Sequence, residues 1–76
     1  MVSREIFSAR LRETMEAAGL QQNQVAKELG VVKQAVNNWC VGLNTPTLDV
    51  THGLALLLGV SIDYLVGLSD DSQRRG

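Results

Sequence analysis

In the segment Gln22 to Val41 (QNQVAKELGVVKQAVNNWCV), one side of a short helical stretch carries Lys33, Gln34, Asn37 and Asn38. Each Gln or Asn amide holds a donor and an acceptor in one plane, the combination that matches N6 and N7 of adenine, and a Lys ammonium suits O6 and N7 of guanine. Such a face is polar yet nearly uncharged, so its chemistry is directed hydrogen bonding to edges and not bulk attraction. Other reactive types do not converge. Cys40 and His52 are a lone thiol and a lone imidazole, whereas a structural zinc site wants four ligands at clustered spacing. No acid, base and nucleophile come together, so the expectation is a protein that is not an enzyme, with no cofactor and no metal. Trp39 falls on the side of Val36 and Cys40 and reads as core, not as a stacking platform. Arg10 and Lys27 read as solubilising charges.

The elements that must hold this face are short helices. Ser3 can cap a first helix that runs to about Ala18, with Val2 placed to staple onto Phe7. Its apolar stripe is Phe7, Leu11, Met15 and Ala18, and Arg4, Arg12, Glu13 and Glu16 fall on the wet side. Gly19 ends it. A two-turn helix over Gln22–Leu29 puts Val25, Ala26 and Leu29 on one face and stops at Gly30. The third helix, about Lys33 to Val41, buries Val36, Trp39 and Cys40 and is stopped by Gly42. Thr45 or Thr47 caps a fourth helix, with Pro46 in its first turn and a stripe of Val50, Leu54, Leu57 and Leu58, ending at Gly59. Ser61 caps a fifth helix, Ile62 to Val66, with Asp63 at its positive end.

Composition agrees with an all-α domain. The 76 residues are 45% hydrophobic and 20% charged with only 4% aromatics and one Pro, enough apolar content for one small core. A net charge of −1 excludes a basic field as the means of finding a partner, so any nucleic-acid binding must come from local geometry. One Cys fits a reducing cytoplasm, and no apolar stretch approaches the ~20 residues that span a bilayer. The expected organisation is a domain over residues 1–68 and a disordered tail over 69–76, SDDSQRRG once Ser69 is included.

Two short helices joined by a Gly-containing three-residue turn form the arrangement that offers one helix to a DNA groove. The Gln22–Val41 segment closely resembles the helix-turn-helix of the phage Cro and repressor family, the XRE type. The similarity continues through ARLRETMEAAG, NTPTLDV and LALLLGVSIDYLVGL, covering about Arg4 to Leu68. It implies a five-helix lambda-repressor-like DNA-binding domain with the helix-turn-helix at helices two and three. Carried over by position, Gln22 would bond a phosphate and buttress the reading helix. Lys33, Gln34 and Asn38 would read base edges, Asn37 backbone or base, and Ala35 a thymine methyl. Val32 and Asn44 complete the DNA-contacting set.

Three departures from the family pattern stand out. Gln21 and Val32 replace the Thr or Ser that usually caps helices two and three, which leaves both ends without a short-side-chain cap. Met15 and Cys40 replace a frequent Arg and Glu, an apolar pair in place of an ion pair. The loop Leu43-Asn44-Thr45 has no Lys or Arg for phosphates, which implies weak nonspecific binding. The implied function is a sequence-specific transcriptional regulator, a Cro-like repressor of a prophage or mobile element, cytoplasmic, without an appended sensor domain and regulated by concentration, dimerisation or partners. The implied partner is double-stranded DNA with a palindromic operator, bound by a homodimer on half-sites roughly 10 bp apart. Leu56, on the side of Asp49 and His52, would join Leu43, or Ile62, Val66 and Leu68, in the dimer contact. The alternative is an antitoxin or other protein-interaction module on the same fold, which the acidic pI of 5.6 and the bare loop also suit.

Overall fold

The computed structural model describes residues 3–69, and all its described regular structure is helical. The elements are α1 (Arg4–Ala18), α2 (Gln22–Leu29), α3 (Lys33–Cys40), α4 (Leu48–Leu58) and α5 (Ile62–Val66). None is long and apolar enough to cross a membrane. Val2, the expected staple, and residues 70–76 of the expected tail lie outside the described residues. Ser69 itself is tied to the fold: its N–H donates to the Asp63 carbonyl at 3.2 Å, and its carbonyl accepts from Arg10 at 2.6 Å.

Short helices fold here because each start and stop is specified locally while the core supplies the stability that helices this short lack. Ser3, Thr47 and Ser61 accept from the N–H of Ile6, Val50 and Tyr64 at 3.3, 3.3 and 3.0 Å, satisfying amides that the first turn leaves open. The Thr47 cap corrects the sequence reading at α4: Pro46 precedes the cap and is not in the first turn. The expected third helix is one residue shorter, with Val41 as its C-cap.

Phe7, Leu11, Val25, Val36, Leu54 and Leu65, one or two from every helix, meet in a single core. Burying a side chain of this size stabilises by about 1.5–3 kcal/mol, so no helix can be withdrawn without exposing several kcal/mol of apolar surface. Two stripes differ from expectation. Ala18 is exposed, because α1 outruns the core by its last turn and Leu20, past the Gly19 bend, packs in its place. On α4 the buried residues are Thr51, Leu54 and Ala55, with Val50, Leu57 and Leu58 only half-buried. A threonine can occupy that buried stripe because its hydroxyl donates to the Thr47 carbonyl at 2.8 Å, as Thr14 in α1 donates to Arg10 at 2.8 Å. Gly53 admits α2 closely, since a Cβ there would meet Leu29 Cδ2 at 3.0 Å.

Candidate nucleic-acid interface

The turn between α2 and α3 is set by Gly30 at φ +69°, a left-handed conformation that costs any residue with a Cβ about 1 kcal/mol or more. There the Val31 N–H reaches back to the Ala26 carbonyl at 3.0 Å, closing α2 as a Schellman motif and turning the chain sharply into α3. Buried Val25 and Ala26 on α2, and Val36, Trp39 and Cys40 on α3, then lock the two helices face to face. Trp39 is thereby core, as its position in the sequence requires.

What remains outward on α3 is the expected polar face. Lys33 and Gln34 are exposed, while Ala35, Asn37 and Asn38 are half-buried. Gln34 Nε2 donates to Asn38 Oδ1 at 2.9 Å, so two successive turns present their amides as one linked unit. Gln34 still offers its carbonyl oxygen and its other N–H, which suffices for a paired contact to adenine, and Asn38 offers its amide donors. Asn37 points toward α2, where Gln22 Nε2 donates to its Oδ1 at 3.4 Å. Gln22 is thus the strut between the start of α2 and the middle of α3. Val32, extended and 69% exposed, begins α3 without a side-chain cap, leaving an apolar group beside the amides. Asn44 is exposed in the α3–α4 loop.

At the start of α2 no short side chain caps the first turn, as expected, and the N3 residue compensates. Gln24 Oε1 accepts from the Gln21 N–H at 2.8 Å, the return half of a capping box, and the Gln21-x-x-Gln24 spacing carried that signal. Two arginines assigned only to the wet face of α1 also do more. Arg12 donates to the carbonyl of Cys40 at the end of α3, where a cation opposes the helix dipole. Arg4 donates to the Leu43 carbonyl at 2.9 Å. No local pattern could announce contacts across 28 and 39 positions. Arg10 lies over the Tyr64 ring, 4.3 Å from its centroid, and donates to the Tyr64 carbonyl at 2.6 Å, so it fastens α5 to α1. Where the family pattern has an ion pair, Met15 Sδ and Cys40 Sγ stand 3.9 Å apart in the core. Burial pushes the Cys40 thiol pKa up, against the lowering effects of the Arg12 charge and a hydrogen bond from Gln22. No group of three or more His, Cys, Asp or Glu among the described residues could hold a metal ion.

A family model described as Helix-turn-helix matches residues 11–65, from the middle of α1 to α5. The chain belongs to the helix-turn-helix family. This helix-turn-helix chain is 35% identical over 66 residues to the HTH-type transcriptional regulator YobD of Bacillus subtilis (strain 168), covering 87% of this chain and 59% of that protein. It is 38% identical over 72 residues to the 26 kDa repressor protein of Escherichia phage HK022, covering 90% of this chain and 31% of that protein. Among solved structures, that of the SOS-response transcriptional repressor LexA from Eubacterium rectale matches with a TM-score of 0.80 and 28% identity, over 84% of this chain and 68% of that one. A transcriptional regulator from Listeria innocua matches with a TM-score of 0.75 and 31% identity, over 80% and 57%. The helix-turn-helix chain therefore spans from about a third to three fifths of the curated relatives described here. The resemblance drawn from GLQQNQVAKELGV and LALLLGVSIDYLVGL is borne out in both family and fold.

Proposed function

We propose that this chain is a sequence-specific DNA-binding transcriptional regulator, a Cro-like repressor of a prophage or mobile element, acting in the cytoplasm through residues 1–68. The observation that carries this reading is the outward amide face of α3, with Gln34 and Asn38 joined at 2.9 Å while Val36, Trp39 and Cys40 anchor the opposite side. In it, α3 enters the major groove and Lys33, Gln34 and Asn38 contact base edges, with Val32 and Ala35 against thymine methyls. Gln22, Asn37 and Asn44 contact the backbone or hold the helix that does. The named repressors among the relatives support the repressor sense.

The operator is palindromic and the protein binds as a homodimer. Leu56 with Leu43, or Leu68 with Ile62 and Val66, forms the contact: Leu43, Leu56 and Leu68 are 60, 49 and 70% exposed, and Ile62 and Val66 half-buried. The test is selection of bound duplexes from a randomised DNA pool at low and physiological salt, with wild type and Gln34→Ala in parallel. The expected result is a palindromic motif that loses information at one position per half-site in the variant. No enrichment at either salt refutes the reading and turns the search to a protein partner of the antitoxin kind.

A further inference from the structure

The α3–α4 loop carries no basic side chain of its own, yet a guanidinium stands on it. Gly42, at φ +79°, bends the chain so that the loop lies against the first turns of α1: a Cβ at Gly42 would be 3.5 Å from Ser8 Oγ and 4.0 Å from the Arg4 carbonyl. Across this seam Arg4 Nη1 donates to the Leu43 carbonyl at 2.9 Å. Arg4 and Asn44 are both exposed, and the bond to Leu43 uses one of the five N–H donors of the guanidinium. Arg10 and Arg12 are differently employed, on α5 and on the end of α3. Arg4 is therefore the cation that α1 delivers to the chain leaving α3.

That place has a definite chemistry if α3 lies in the major groove, the reading on which this inference rests. An eight-residue helix is about 12 Å long and the groove about 12 Å wide, so the segment leaving α3 meets the sugar-phosphate wall. The tether to Leu43 holds the guanidinium there, and a planar fork with free donors suits a phosphate in two-point contact. We infer that Arg4 is a DNA-phosphate contact, supplied in space to a loop that lacks a cation in sequence.

The experiment measures the salt dependence of binding to the selected operator and to a scrambled duplex for wild type, Arg4→Gln and Arg4→Lys, with thermal melts of each. The expected result for Arg4→Gln is a salt slope smaller by about 0.9, equal weakening on both duplexes, and therefore about 3.5-fold less affinity lost between 50 and 200 mM salt. Arg4→Lys, which keeps the charge, is expected to keep the slope. An unchanged slope in Arg4→Gln overturns the inference whether or not affinity falls, since affinity loss alone means that Arg4 merely holds the loop. An equal loss of slope in Arg4→Lys overturns the charge-contact reading as well. If wild type binds no duplex, the proposed function falls and this inference with it; if wild type binds and only the slope test fails, the function stands.

Discussion

Removing Gln34 and Asn38 singly and together tests whether the α3 face reads DNA as a linked unit. Each amide that contacts a base edge is worth about 1–3 kcal/mol of binding, roughly 5- to 150-fold in Kd. Independent readers would add. Here Gln34 Nε2 and Asn38 Oδ1 are 2.9 Å apart, so each side chain fixes the plane of the other, and the first deletion already loosens the survivor. The double variant is then expected to fall short of the summed losses by about 0.5–1.5 kcal/mol, about 2- to 12-fold in Kd. In the free protein the same bond is exposed and competes with water, so its coupling in stability is expected at only about 0.2–0.5 kcal/mol. Coupling large in binding and small in folding is the signature. Fluorescence anisotropy on the selected operator at one fixed salt, beside urea melts of the four proteins, reads both. Additivity within about 0.3 kcal/mol in binding refutes the linked unit. Equal loss on operator and scrambled duplex refutes base reading by either residue.

Three further outcomes follow from the packing of the helices. Gly67→Ala adds a Cβ at φ +87° that would sit 2.9 Å from Ile6 Cγ2, so stability is expected to drop by about 1–3 kcal/mol; an unchanged denaturation midpoint would refute the close α1–α5 seam. Met15→Arg alone puts a charge in the core beside Cys40 and is expected to cost about 3–5 kcal/mol, with much of it recovered by adding Cys40→Glu; no recovery in the double variant would show the two positions uncoupled. The folded Cys40 pKa is raised, so the neutral thiol is favoured in the fold: stability is full below the ordinary thiol pKa of about 8.5 and falls as pH rises toward and through the folded value. Cys40→Ala is expected to flatten that alkaline decline in a pH series of melts, and an identical decline would place its origin elsewhere.

The sequence was most legible where a signal is local. Ser3, Thr47 and Ser61 announce helix starts because a short side-chain oxygen can reach an amide only two or three residues on. The bond from the Gln21 amide to Gln24 is equally local, whereas Ala18 lies on the apolar stripe yet outside the core, because helical spacing does not say where the core ends. The candidate site was legible as a face: Val36, Trp39 and Cys40 in, Lys33, Gln34 and Asn38 out, follows from the helical period.

The sequence by itself determined five helices, their order, the turn at Gly30, the buried side of α3 and the family, because periodicity, caps and breakers act over a few residues. Only the tertiary structure decided that Asn37 is the residue through which Gln22 braces α3, that Arg12 closes the end of α3, and that Arg4 stands on the loop after it. Those contacts join residues 15, 28 and 39 positions apart, and a hydrogen bond depends on distance in space, which a linear pattern does not encode until the core has brought the helices together.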